Sequence, residues 1–123
     1  MGMVKKGILA LTFGAALLGP LTAAQAGMQI LSLTGRQYSN GLFLGYLIIS
    51  SDEQIVDTSL VLPDNAVLDP MSSTTSGQYT TQIFKAVTKI APGDHISAVA
   101  VGNRSSAEKT TACALLGSGI YCH

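Results

Sequence analysis

The feature that most constrains this chain lies at its start. Lys5 and Lys6 precede an apolar stretch over residues 7–18, followed by Pro20 and the small-residue exit Ala24-Gln25-Ala26. A basic start, a short apolar run and a small-residue cleavage site form the layout of a secretory signal peptide. The apolar run is too short for a membrane anchor, because a spanning helix needs about 20 apolar residues. The sequence therefore predicts that residues 1–26 are removed and that residues 27–123 form one exported domain, periplasmic or extracellular, with no stable membrane insertion.

What remains is small and nearly neutral. Five basic residues (Arg36, Lys85, Lys89, Arg104, Lys109) stand against seven acidic ones (Asp52, Glu53, Asp57, Asp64, Asp69, Asp94, Glu108), a net charge of −2. A domain of this size buries a little over 60% of its unfolded surface, which allows one modest core. The low charge and few aromatics leave neither a basic groove nor a stacking platform, which argues against nucleic acid as a partner. Both cysteines fall in the exported part, where oxidation is the rule. Cys113 and Cys122 enclose Gly117-Ser118-Gly119, and a structural disulfide across this turn is expected. A metal pair would lack two further ligands, and a redox pair usually has two residues between its cysteines.

Catalytic signals are missing. His95 and His123 are the only imidazoles and have no metal-ligand spacing. Neither a nucleophile elbow nor a phosphate-binding glycine loop nor a zinc-binding helix motif is present. Asp64 and Asp69 lie in a Pro-flanked loop, and Asn103-Arg104-Ser105 matches a glycosylation acceptor that is common by chance. The sequence points to a binding module without catalytic residues, metal or cofactor.

Short apolar runs at residues 30–33, 42–49 and 54–62 are separated by Ser39-Asn40-Gly41 and Ser51-Asp52-Glu53 and suit three antiparallel strands. The period then changes. Tyr79, Ile83, Phe84, Ala86, Val87 and Ile90 fall at helical spacing, with Gln78, Gln82, Lys85 and Lys89 opposite. Thr75 and Gln78 fit a capping box, and Pro92-Gly93 a stop. An amphipathic helix is predicted over 76–91, followed by strands over 95–101 and 110–116 with a polar loop between them. Three strands, one helix and two strands is the order of an OB-fold, a mainly β, five-stranded Greek-key barrel with the helix between strands 3 and 4. A β-sandwich ranks second, because it does not accommodate the helix.

This order of elements, with the Cys-closed tail ending in Tyr121-Cys122-His123, resembles the OB-fold B subunits of bacterial AB5 toxins, in the pertussis, subtilase-cytotoxin and typhoid-toxin group. Relatives there typically carry further cysteines in strands 2 and 3, which this chain lacks. The resemblance implies a homo- or hetero-pentamer that binds a host-cell glycan and carries a catalytic A subunit. Its helices would line a channel, with Gln78, Gln82, Lys85 and Lys89 facing the pore or the partner. OB-folds bind ligands on the strand 2–3 face and the loops after strands 1 and 4. Those loops hold Arg36, Tyr38 and Asn40, and Asn103 and Arg104, an aromatic platform with directional donors suited to a sugar. The alternative is a monomeric periplasmic binding or inhibitor module, built on the same barrel or on an immunoglobulin-like sandwich; small exported chaperones of amyloid-like fibres have comparable length.

Overall fold

A computed structural model describes residues 27–123; the predicted signal peptide lies outside the described residues. Nine strands run through them: β1 (Met28–Gln37), β2 (Leu42–Ser51), β3 (Ile55–Val61), β4 (Val67–Leu68), β5 (Ser72–Ser76), β6 (Tyr79–Val87), β7 (His95–Gly102), β8 (Ser106–Leu116) and β9 (Gly119–Cys122). All neighbours are antiparallel, in the order β4-β3-β7-β8-β9-β1-β2-β6-β5. This is one continuous sheet with two free edges, not a closed five-stranded barrel, and among the described residues it contains no helix.

The sheet folds over on itself. Phe43, Leu47 and Ile49 of β2 and Phe84 of β6 are fully buried, as are Leu60 of β3 and Ile96, Ala98 and Ala100 of β7. These two sets meet: a Cβ added to Gly45 of β2 would lie 2.9 Å from the Leu60 side chain, and one on Gly35 of β1 would lie 3.1 Å from that of Ile96. One half, β5-β6-β2-β1-β9, therefore packs face to face on the other, β4-β3-β7-β8, as in a β-sandwich. Burying each large apolar side chain contributes about 1.5–3 kcal/mol. The strand β8 joins the halves. Its first seven residues pair with β7, and from Cys113 onward it pairs with β9. The predicted disulfide, Cys113–Cys122, sits at that switch with both residues buried.

The predicted helix over 76–91 is overturned, and the reason is in the side-chain order. In β6, Thr80, Gln82 and Phe84 point inward and are buried, while Tyr79, Thr81, Lys85 and Val87 are exposed. The strand thus places two polar residues inside and apolar ones outside, with Val87 83% exposed. That inversion blurs the two-residue period and leaves an accidental helical one. Local preference favours the strand, since threonine, isoleucine, phenylalanine and valine pack well on a pleated surface. Thr75 belongs to β5 rather than to a helix cap. Gly77, at φ 62°, supplies the first residue of the two-residue turn from Ser76 to Tyr79, a backbone region closed to most side chains. Pro92-Gly93 lies in a turn in which the Asp94 N–H bonds to the Ala91 carbonyl at 3.0 Å.

The expected three-strand meander also breaks. β1 and β2 form a hairpin, but β3 leaves for the other half and pairs with β4 and β7. The link between β2 and β3 is tied by Ser51, whose hydroxyl donates to the Glu53 carbonyl at 2.6 Å and accepts from the Glu53 N–H at 3.1 Å. The polar loop predicted over 103–109 shrinks to a tight turn at 103–105, because Ser106 already begins β8.

Candidate functional site

The β1–β2 turn builds one end of the domain. The Tyr38 N–H bonds to the Leu42 carbonyl at 2.9 Å, and the Asn40 side chain accepts the Leu42 N–H at 3.1 Å. Gln37 takes an inward position on β1 and is 7% exposed. Its amide donates to the Thr88 carbonyl and accepts the Ile90 N–H at 3.0 Å, so it fastens the segment after β6 to the turn. The large majority of buried amides are paired in this way. The result is a cavity of about 420 Å³ whose lining includes Tyr38, Ser39, Asn40, Lys89, Leu115 and Ser118. The Arg36 guanidinium lies 5.1 Å from the centre of the Tyr38 ring, a cation–π distance, and holds a ring that is still 40% exposed.

Asn103 and Arg104 are not part of this site. They form the β7–β8 turn, beside Glu53, where Arg104 reaches Asp52 at 3.2 Å. Gly27, the residue before β1, marks the same end: a Cβ there would meet Ser105 at 2.8 Å. β1 has ten residues, so the two ends are about 30 Å apart at the usual rise per residue. The structure brings Arg36, Tyr38 and Asn40 together and separates them from Asn103 and Arg104.

The predicted pore-facing set is also dispersed. Gln82 is buried, whereas Lys85, three positions on, lies on the outward face of the same strand, paired with Leu44. Gln78 occupies the β5–β6 turn and donates to Ser50 at 3.2 Å. Lys89 lines the Tyr38 cavity. A collar of Gln78, Gln82, Lys85 and Lys89 needs the helix and has no counterpart on a strand.

Sequence reasoning missed two residues that set the ends. Gln37 ends β1 in an apolar alternation, with Leu33 and Gly35 as the preceding buried positions; a polar residue in such a series is the signal of a paired buried amide. Glu53 looked like an ordinary turn acid, yet its side chain is 2% exposed. A second cavity, of about 300 Å³, lies at this end, between the β5–β6 hairpin and the start of β3, and Gln54, Ser73, Thr75, Gln78, Thr80 and Gln82 line it. Among the described residues, no cluster of three or more His, Cys, Asp or Glu side chains could hold a metal ion. No protein-family model, curated protein or solved structure matches this chain.

Proposed function

We propose that this chain is an exported, non-catalytic binding module that takes its ligand in the Tyr38 cavity. The observation that carries this is the cluster at the β1–β2 turn: an exposed aromatic ring steadied by Arg36, with Asn40, Ser39, Lys89 and Ser118 around one cavity. A sugar fits such a lining, because its ring has an apolar face for Tyr38 and its hydroxyls need directional amide, hydroxyl and ammonium partners. The Cys113–Cys122 disulfide is compatible with an oxidising compartment and supports reading residues 1–26 as a signal peptide.

Of the two assemblies the sequence suggests, we favour the monomeric module over the toxin-type pentamer. The pentamer reading drew its channel from the helix, and residues 79–87 form a strand. A glycan array probed with the purified protein and with Tyr38→Ala tests the ligand, and sedimentation tests the assembly. Array signal lost in Tyr38→Ala, from a species of one-chain mass, is expected. An array profile unchanged by Tyr38→Ala removes this cavity as the ligand site, and a five-chain mass restores the pentamer.

A further inference from the structure

The two free edges of the sheet are built differently. The β4 edge is two residues long and is flanked by Pro63-Asp64 and Asp69-Pro70. Short length, proline and charge are the usual protections of an exposed edge. The β5 strand is longer, at five residues, and although Asp69-Pro70 also precedes it, the strand itself carries neither proline nor charge. The five residues Ser72-Ser73-Thr74-Thr75-Ser76 are exposed and pair with β6 in unbroken register from Ser72–Ile83 to Ser76–Tyr79. Among the described residues no strand pairs with its outer row of backbone N–H and C=O groups, which is open to a further strand.

The second cavity adjoins this edge. Ser73 and Thr75 are two of its lining residues and lie opposite Gln82 and Thr80 in the register. The Gln82 Nε2 donates to the Ser73 hydroxyl at 3.2 Å, and the Thr75 and Thr80 hydroxyls lie 3.0 Å apart. Gln82 is 5% exposed, and its Oε1 has no hydrogen-bond partner among the described residues. Glu53, the one ionisable residue of the lining, already engages Arg104 and Ser105 with its carboxylate.

We propose that β5 and this cavity form a docking site for an extended segment of another protein, which adds as a tenth strand and carries glutamine or asparagine at alternate positions. Main-chain pairing along an open edge supplies affinity, and the side chains that alternate toward the cavity supply selectivity. A charged side chain would enter a cavity whose one charge, the Glu53 carboxylate, is already engaged by Arg104 and Ser105, so it would meet no free counter-ion, which is costly. An apolar one would leave the amides and hydroxyls there unpaired. A second copy of β5 offers only short hydroxyls and would leave the cavity unfilled. Glutamine and asparagine have the length, the donor and the acceptor to match the amides of Gln54, Gln78 and Gln82 in the lining. This site is at the end opposite Tyr38 and is independent of the sugar reading.

The test is an NMR titration of the purified protein with a blocked peptide alternating glutamine with threonine. Saturable shifts over Ser72–Ser76 and at the Gln82 side-chain amide are expected. Binding should weaken at least tenfold when lysine replaces glutamine in the peptide. The same loss is expected when the peptide is N-methylated at alternate residues, and for the variant Thr74→Pro. The N-methylated peptide tests the pairing on the unaltered protein, should Thr74→Pro disturb β6. Equal binding of the three peptides, or shifts confined to other strands, overturns the proposal. So does self-association that Thr74→Pro abolishes, because the edge would then belong to a second copy.

Discussion

Glu53 and Ser105, 52 positions apart, are joined twice: the Ser105 hydroxyl donates to the Glu53 carboxylate at 2.7 Å, and the Ser105 N–H donates to it at 3.2 Å. The Arg104 N–H adds a third bond, at 2.6 Å. One carboxylate thereby fixes the β7–β8 turn against the link between β2 and β3.

These bonds predict how stability depends on pH. Burial works to raise the Glu53 pKa, but the bonds from Arg104 and Ser105 and the Arg104 charge outweigh it, and the value falls below the ordinary 4.5. A carboxyl depressed in the folded state stabilises the fold fully above its unfolded value, and loses that contribution as pH drops through its folded value. Melting temperature should therefore fall on acidification below 4.5, and more steeply for the native protein than for Glu53→Gln. Near neutrality Glu53→Gln should be less stable by about 1 kcal/mol, the difference between charged and neutral hydrogen bonds. Parallel melting curves for the two proteins across the acid range would count against this role.

The disulfide joins two residues that already face each other in the β8–β9 ladder. The chain-entropy model gives about 2.5–3 kcal/mol for so short a loop. Replacing both Cys113 and Cys122 by alanine should lower the urea midpoint by a corresponding amount without abolishing the fold. Reduction of the native protein with dithiothreitol should give a similar loss.

How much of this was legible in the sequence differs between elements. β2 and β7 were readable because an apolar run carries its own turn signals: Gly41 before Leu42, and Pro92-Gly93 before His95. The disulfide was readable from two cysteines and a glycine turn. β6 was not, because Thr80 and Gln82 occupy inward positions while Tyr79 and Val87 face water; packing against the opposite half adds to local preference in selecting the strand. The separation of Arg104 from Tyr38 was equally hidden. Both follow strands in a plausible loop, and which end each loop reaches depends on β3 crossing between the halves. Arg36, Tyr38 and Asn40 were found together because the turn that unites them is local.

Close approach of β9 to β1 makes Gly119 sensitive. A Cβ there would lie 2.6 Å from the Gln37 carbonyl oxygen, which is main chain held in the β1–β9 pairing. At Gly45 the nearest atom, at 2.9 Å, is the end of the Leu60 side chain, which can turn away. Overpacking costs about 1–3 kcal/mol, so Gly119→Ala should fall at the upper end and Gly45→Ala at the lower. Urea unfolding of both variants checks the order, and Gly119→Ala should also disturb the Tyr38 cavity that Gly119 lines.

Gln82 gives the sharpest separation between a strand and a helix at residues 79–87. On a solvated helix face, replacing it with methionine would change stability little. In β6 its amide is buried, with Nε2 bonded to Ser73 and Oε1 without a partner among the described residues. A buried polar atom without a partner costs about 1–3 kcal/mol, whereas a net hydrogen bond contributes about 1 kcal/mol. Methionine has similar length, adapts to irregular space and carries no group that must be paired. Ser73 is exposed and can turn its hydroxyl to water. Gln82→Met should therefore raise stability by about 1 kcal/mol, read as a higher urea midpoint at unchanged slope. The same variant should bind the glutamine–threonine peptide more weakly, because it removes an amide from the cavity. A lower midpoint would mean that the Gln82 amide is fully paired in the folded protein and is part of what holds β5 to β6.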